Sequence, residues 1–179
     1  MPNHQTQGFT LIELMVTIVI LAVLVTIAAP AMSDFIEKRR LVGAAEEIQS
    51  QIQYARTEAV KQSRELHISI DENEWCIGTG TIANCDCTEI DASEPGACVI
   101  PLGDETVMRT TSVAAFPNIT LTSDPDNIRI DGVRGLTDTS SITLTSPRGW
   151  ELRISTSMLG KVRMCSPSGS SFVGGYPEC

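Results

Sequence analysis

The first 37 residues contain no lysine or arginine, and the first 75 contain no cysteine. Histidine is scarce, with only His4 and His67 in the whole chain. Each shortage removes a class of function. Two histidines leave little material for acid–base or metal chemistry. His67 alternates with Leu66, Ile68 and Ile70, so it reads as a residue of a half-buried strand rather than a base. No G-x-S-x-G, P-loop or G-x-G-x-x-G pattern occurs, which removes the common nucleophile elbows and phosphate cradles. The acidic run Asp71-Glu72-Asn73-Glu74 lacks the spaced D-x-D-x-D-G pattern of a calcium loop and reads as a solvated turn. The sequence therefore predicts no catalytic residue, no metal and no cofactor.

What is present begins with a long apolar run. From Phe9 to Ala29 there are 21 residues and one charge, Glu13. As a helix rising 1.5 Å per residue this run is about 31 Å long, enough to cross the hydrocarbon core of a bilayer. A secretory signal is the plainest alternative, and Ala29-Pro30-Ala31 has the form of a small-residue cleavage site. The run is too long for that reading, and no basic residue precedes it. A carboxylate five residues into an apolar span costs about 3 kcal/mol on insertion scales, so a partner is expected for Glu13.

The stretch Gly8-Phe9-Thr10-Leu11-Ile12-Glu13-Leu14 resembles the signature of type IV pilin-like proteins. The resemblance implies that a prepilin peptidase removes the leader Met1–Gly8, cutting between Gly8 and Phe9 and methylating the new amino terminus. It also implies that Glu13 answers the positive amino terminus of a neighbouring major or minor pilin during assembly. Lys38, Arg39 and Arg40 follow the span, and by the positive-inside rule alone they would orient the chain with its body in the cytoplasm. The motif and six cysteines after residue 75 point the other way, to a single-pass inner-membrane protein with a periplasmic body that later joins a surface pilus.

Four segments follow: a leader over 1–8, a membrane or filament-core helix over 9–30, its amphipathic continuation over 31–65, and a disulfide-stapled β-rich domain over 66–179. Pro30 is expected to kink the helix rather than end it. Beyond it Leu41, Ala45, Ile48, Ile52, Ala55 and Ala59 form one apolar stripe, while Glu46, Glu47, Ser50, Gln53 and Lys61 lie off it. The helix is expected to reach about Arg64. The stretch Gln53-Tyr54-Ala55-Arg56-Thr57-Glu58-Ala59-Val60 is similar to the helix end of the GspH/FimT group of minor pilins.

After Arg64 the apolar period falls to two. Strands are expected at 66–70, 74–77, 98–102, 106–113, 119–122, 127–130, 141–145, 150–155 and 161–165, with Gly78–Gly96 as a long loop. One long helix followed by many short strands predicts an α+β fold, with an antiparallel sheet packed on the helix. Cys76, Cys85, Cys87 and Cys98 lack the C-x(2–4)-C pairs of zinc sites and read as two disulfides, with three connectivities open. Cys165 and Cys179 are expected to close the Gly- and Ser-rich tail, contributing about 3 kcal/mol by loop closure.

The net charge of −9 argues against a general nucleic-acid coat, but the charge is polarised. Between Glu65 and Met108 there are ten acidic residues and no basic one. From Thr145 to Pro177 there are four basic residues (Arg148, Arg153, Lys161, Arg163) against Glu151 alone. On a strand, Lys161 and Arg163 project from one face about 7 Å apart, close to the spacing of successive phosphates. Arg148 and Arg153 extend the patch, and Phe172 and Tyr176 are placed to pack or to stack. Alternating basic residues also serve as plain edge protection.

Gly160-Lys161-Val162-Arg163 followed by Cys165-Ser166-Pro167 is similar to the G-R-x-R motif of FimT. The resemblance, which runs over nearly the whole chain to the FimT/FimU group, implies DNA binding by Lys161 and Arg163 during natural transformation. Lys161 keeps the charge of the family's arginine without its bidentate fork, which matters less for phosphates than for base edges. Three functions stay open: a minor pilin that binds DNA for uptake, a FimU-like minor pilin for pilus assembly only, and a GspH-like pseudopilin of type II secretion. In the first, DNA is held non-specifically by its backbone.

Overall fold

The computed structural model describes residues 9–112 and 114–179. The leader, with His4 and Gly8, and the expected strand end at Val113 lie outside the described residues. The chain divides into two compact units between Glu37 and Lys38.

Helix α1 spans Leu11–Gln62 and runs through Pro30 without a break in the helical backbone. Its first part is long and apolar enough to cross a membrane. Thr10 caps its start, the hydroxyl oxygen accepting the Glu13 N–H at 3.3 Å, the Thr-x-x-Glu spacing of a capping box. The helix ends two residues earlier than the periodicity predicts. Ser63 takes a left-handed φ of 49°, the Arg64 N–H reaches the Ala59 carbonyl at 3.0 Å, and the Ser63 N–H reaches Val60 at 3.2 Å. That pair of bonds is a Schellman cap. Gly132 fits against this cap because a Cβ there would lie 2.2 Å from the Arg64 carbonyl oxygen.

Nine strands follow: β1 (Leu66–Asp71), β2 (Cys76–Gly80), β3 (Val99–Leu102), β4 (Glu105–Ser112), β5 (Thr120–Asp124), β6 (Asn127–Ile130), β7 (Ser140–Thr145), β8 (Glu151–Thr156) and β9 (Val162–Cys165). They form two antiparallel sheets, in the orders β3-β4-β2-β1-β6 and β5-β7-β8-β9. The fold is thus α+β, with the second half of α1 packed on sheet. The whole predicted stripe is buried: Leu41, Ala45, Ile48, Ile52, Ala55 and Ala59 join β1, β6, β7 and β8 side chains such as Ile68, Ile130, Ile142 and Leu152 in one core. Gln51 and Glu58 are the buried polar side chains of the helix among the described residues, and Gln51 reaches furthest into the sheet. Its two amide hydrogens are shared among three acceptors, the Ile77 carbonyl, the Thr79 hydroxyl and the Arg109 carbonyl, and its oxygen accepts from the Thr111 hydroxyl, so a buried amide is fully answered.

Most strand boundaries shift by one or two residues from the sequence pattern, and β2 shifts furthest. Expected at 74–77, β2 instead runs from Cys76 through Gly80, taking three residues from the expected loop. Trp75 sits at φ 47° in the turn before it. Two disulfides, Cys76–Cys87 and Cys85–Cys98, cover β2. A Cβ on Gly78 would lie 2.2 Å from Cys98 Sγ, so the strand tolerates glycine where the sulfurs press on it. The third disulfide joins Cys165 to Cys179. His67 lies in β1, held between the Asn127 and Glu65 side chains at 3.0 and 3.2 Å.

Candidate nucleic-acid interface

The register of β8 and β9 decides which basic residues share a face. Ser155 lies opposite Arg163, and Arg153 opposite Cys165. Directly paired residues project to the same side, so Arg153, Ser155 and Arg163 stand on one face of the four-stranded sheet. Thr143 and Ser141, opposite Arg153 and Ser155 on β7, continue it as a row of hydroxyls. Arg153 and Arg163 are diagonal neighbours about 7 to 8 Å apart at their backbones.

Lys161 precedes β9 rather than opening it. It belongs to the hairpin turn, where the Ser157 N–H donates to the Lys161 carbonyl at 3.0 Å. This bond extends the β8–β9 pairing by one step, so Lys161 keeps the face of Arg163. Both side chains are exposed, and neither forms an ion pair among the described residues. β9 is an edge strand, so the pair lies at the margin of the sheet.

The other two candidates are more committed. Arg153 leans on Glu151 at 3.8 Å. Arg148 is exposed in the Ser146–Trp150 turn at the far end of β8 and has an interaction partner of its own. At 3.3 Å per residue it is roughly 20 Å from Lys161. Tyr176 packs against the core, and burial, with Glu46 nearby, pushes its hydroxyl pKa up, so it is a packing residue rather than a stacking platform. A cavity of about 560 Å³ opens beside Arg163, lined also by Gln49, Ser155, Tyr176 and Glu178.

Two residues that hold this hairpin, Gly160 and Arg56, lie in motifs that the sequence marks, but their contact with each other is not legible there. Gly160 has φ +72°, and a Cβ there would fall 2.2 Å from Nε of Arg56. Arg56, on the helix, donates from that nitrogen to the Gly135 carbonyl at 3.0 Å. The arginine thus lies under two turns at once and sets the turn that presents Lys161. The visible signal was an arginine between Ala55 and Ala59 of the apolar stripe.

A model of the prokaryotic N-terminal methylation motif matches residues 3–29. The family model described as type II transport protein GspH matches residues 44–160. No curated protein sequence matches significantly. Among solved structures, the chain is similar to the type IV minor pilin FimU of Pseudomonas aeruginosa, with a TM-score of 0.54 and 19% identity over 77% of this chain and 99% of that one. A second crystal form of FimU gives 0.50, at 19% identity over 73% and 98%. The minor pseudopilin EpsH of the Vibrio cholerae type 2 secretion system gives 0.49, at 11% identity over 70% and 96%. The methylation motif implies prepilin processing and partners among pilins. The GspH model covers more than half of the sequence, and the chain belongs to that family, as a minor pilin of the GspH/FimT/FimU type.

Proposed function

We propose that this minor pilin binds DNA by its phosphate backbone for uptake, through the sheet margin carrying Lys161 and Arg163. The observation that carries the reading is the shared, exposed face of these two cations without an ion pair among the described residues. Arg153 and the hydroxyls of Ser155 and Thr143 widen the contact, and Arg148 adds a distant one. Contacts from hydroxyls and guanidinium groups to phosphate oxygens carry no sequence code. Two to four contacts make affinity weak and salt-sensitive, so several subunits supply avidity.

Before that step the chain is processed between Gly8 and Phe9 and anchored in the inner membrane by α1, with its body in the periplasm. Glu13 meets the cationic amino terminus of a neighbouring subunit, which makes a carboxylate in an apolar span tolerable. The second reading is a purely structural subunit of a pilus or of a type II secretion pseudopilus. Glu151 and Glu178 beside Arg153 and Arg163 favour it, since they lower the local positive potential.

In the cell that makes this protein, Lys161→Gln/Arg163→Gln is expected to keep pili and abolish DNA uptake. Lost pili would assign the pair to assembly, and unchanged uptake would remove the DNA site.

A further inference from the structure

The cavity beside Arg163 has a position that phosphate contacts do not explain. Four consecutive residues of β9, Val162–Cys165, line it, and their side chains alternate between the two faces of the sheet. A cavity touched by all four lies along the outer edge of the strand, not on either face. Helix α1 supplies one wall through Gln49, and the segment 176–179 supplies another. That segment is pinned: the Ser166 N–H donates to the Pro177 carbonyl at 2.9 Å, and the Cys179 N–H donates to the Ser166 carbonyl at 3.0 Å. The Cys165–Cys179 disulfide fastens it again. The walls are thus fixed before a ligand arrives, which limits the ordering cost of binding.

Its lining combines an apolar floor with unanswered polar groups. Ile154 and Thr156, opposite Met164 and Val162 on β8, are buried, so these two β9 side chains point inward. Together with Tyr176 they pack against the core. Around this floor the Gln49 amide, the Arg163 guanidinium and the Glu178 carboxylate form no side-chain hydrogen bond or ion pair among the described residues. An apolar pocket with a few polar groups is the usual form of a site for a small organic group. At about 560 Å³ it has room for a nucleobase.

Glu178 decides the class of ligand. Against a tract of phosphates a carboxylate only repels, and it lowers the potential that Lys161 and Arg163 create. Against a base it is a recognition group, because carboxylates accept from amino N–H donors such as cytosine N4. The Gln49 amide both donates and accepts, and so suits the remaining edge atoms of a base. A duplex keeps its bases stacked and paired, so beside it the cavity stays unfilled and Glu178 faces only backbone. An unpaired base is free to turn over the β9 edge while its flanking phosphates stay on Lys161 and Arg163.

We propose that the cavity at the β9 edge receives an unpaired base, which makes single-stranded DNA the preferred ligand of this site. Lys161 and Arg163 hold the phosphates, and Glu178 and Gln49 hold the base edge. The inference rests on the DNA-binding reading above and adds to it the strandedness of the ligand.

The test titrates the full-length chain in detergent with three DNA probes of equal length: a mixed-sequence single strand, its duplex, and a strand whose bases are replaced by abasic sites. The single strand is expected to bind about tenfold more tightly than the abasic strand, the scale of one base contact, and more tightly than the duplex. Glu178→Ala then separates the two modes by sign. The side chain is exposed, and the pairing of its segment with Ser166 runs through the backbone, so the fold is retained. The variant is expected to lose about tenfold in affinity for the single strand and to gain affinity for the duplex, where the carboxylate only repels. Gln49→Ala is expected to weaken the single strand alone. A Glu178→Ala chain that gains affinity for both strands and duplex would overturn the base cavity and leave phosphate binding standing. So would an abasic strand bound as tightly as the intact one, or a wild-type preference for duplex. A wild-type chain that binds none of the probes would overturn the cavity and the DNA reading together.

Discussion

Replacing Gly160 by alanine places a methyl group 2.2 Å from Nε, 2.7 Å from Cδ and 2.8 Å from Cζ of Arg56, at a backbone φ of +72°. Two separable penalties follow. The left-handed backbone costs a residue with a Cβ about 1 to 2 kcal/mol. The second penalty depends on the arginine, because the opposing atoms are side chain and can withdraw. Withdrawal breaks the 3.0 Å bond from Nε to the Gly135 carbonyl. A hydrogen bond from a charged donor contributes about 1.5 to 3 kcal/mol. The sum for Gly160→Ala is therefore about 2.5 to 5 kcal/mol, and for Arg56→Ala about 1.5 to 3 kcal/mol. In the double variant the clash is gone, so only the backbone penalty adds to the loss of the arginine. A double-mutant cycle, read by equilibrium denaturation with the disulfides intact, is thus expected to show coupling of about 1.5 to 3 kcal/mol. Additive effects would refute the account of Arg56 as the support of this turn.

Further outcomes follow from the same structure. Gly78→Ala puts a Cβ 2.2 Å from Cys98 Sγ and 3.0 Å from Cys87 Cβ, in a buried strand with nowhere to yield. Mass spectrometry after thiol alkylation should find free Cys85 and Cys98; a fully oxidised, equally stable variant would contradict the packing. Gln51→Leu strips partners from the Ile77 and Arg109 carbonyls and from two threonine hydroxyls, and should destabilise by about 2 to 3 kcal/mol in denaturant titrations. Unchanged stability would show these groups rehydrate. Glu58 is buried on the helix, and the Gln62 amide at 2.7 Å, then Lys61, hold its pKa below the ordinary glutamate value. A depressed folded pKa contributes stability above the unfolded value, about 4.3, and loses it as pH falls from there through the folded pKa. Glu58→Gln should flatten that acid limb in thermal melts across pH; an unaltered limb would assign it to other carboxylates.

Much of the fold is legible in the sequence because its cause is local. The stripe from Leu41 to Ala59 is a 3.6-residue period, and all six residues are buried. Alternation at Leu66, Ile68 and Ile70 marks β1 in the same way. The extension of β2 through Gly80 is not legible, since Gly-Thr-Gly carries no apolar period. Its cause is the pair of disulfides lying on those glycines, a tertiary fact. Likewise, four spaced cysteines do not choose a connectivity; the path of the loop after β2 does. At the candidate site the alternation of Lys161 and Arg163 can be read directly, but the nearness of Arg153 depends on strand register. The support from Arg56, more than 100 positions before Gly160, depends on the packing of helix against hairpin.

The most direct measurement is the salt dependence of duplex DNA binding by the full-length chain in detergent, compared with Lys161→Gln/Arg163→Gln. Each phosphate neutralised contributes a slope of about −0.9 in log K against log salt. Two to four contacts predict a slope of about −2 to −4 for the wild type, made shallower by about 2 in the variant. Equal slopes and equal affinities, with circular dichroism showing both chains folded, would contradict the DNA site and leave assembly of the filament as the work of this domain.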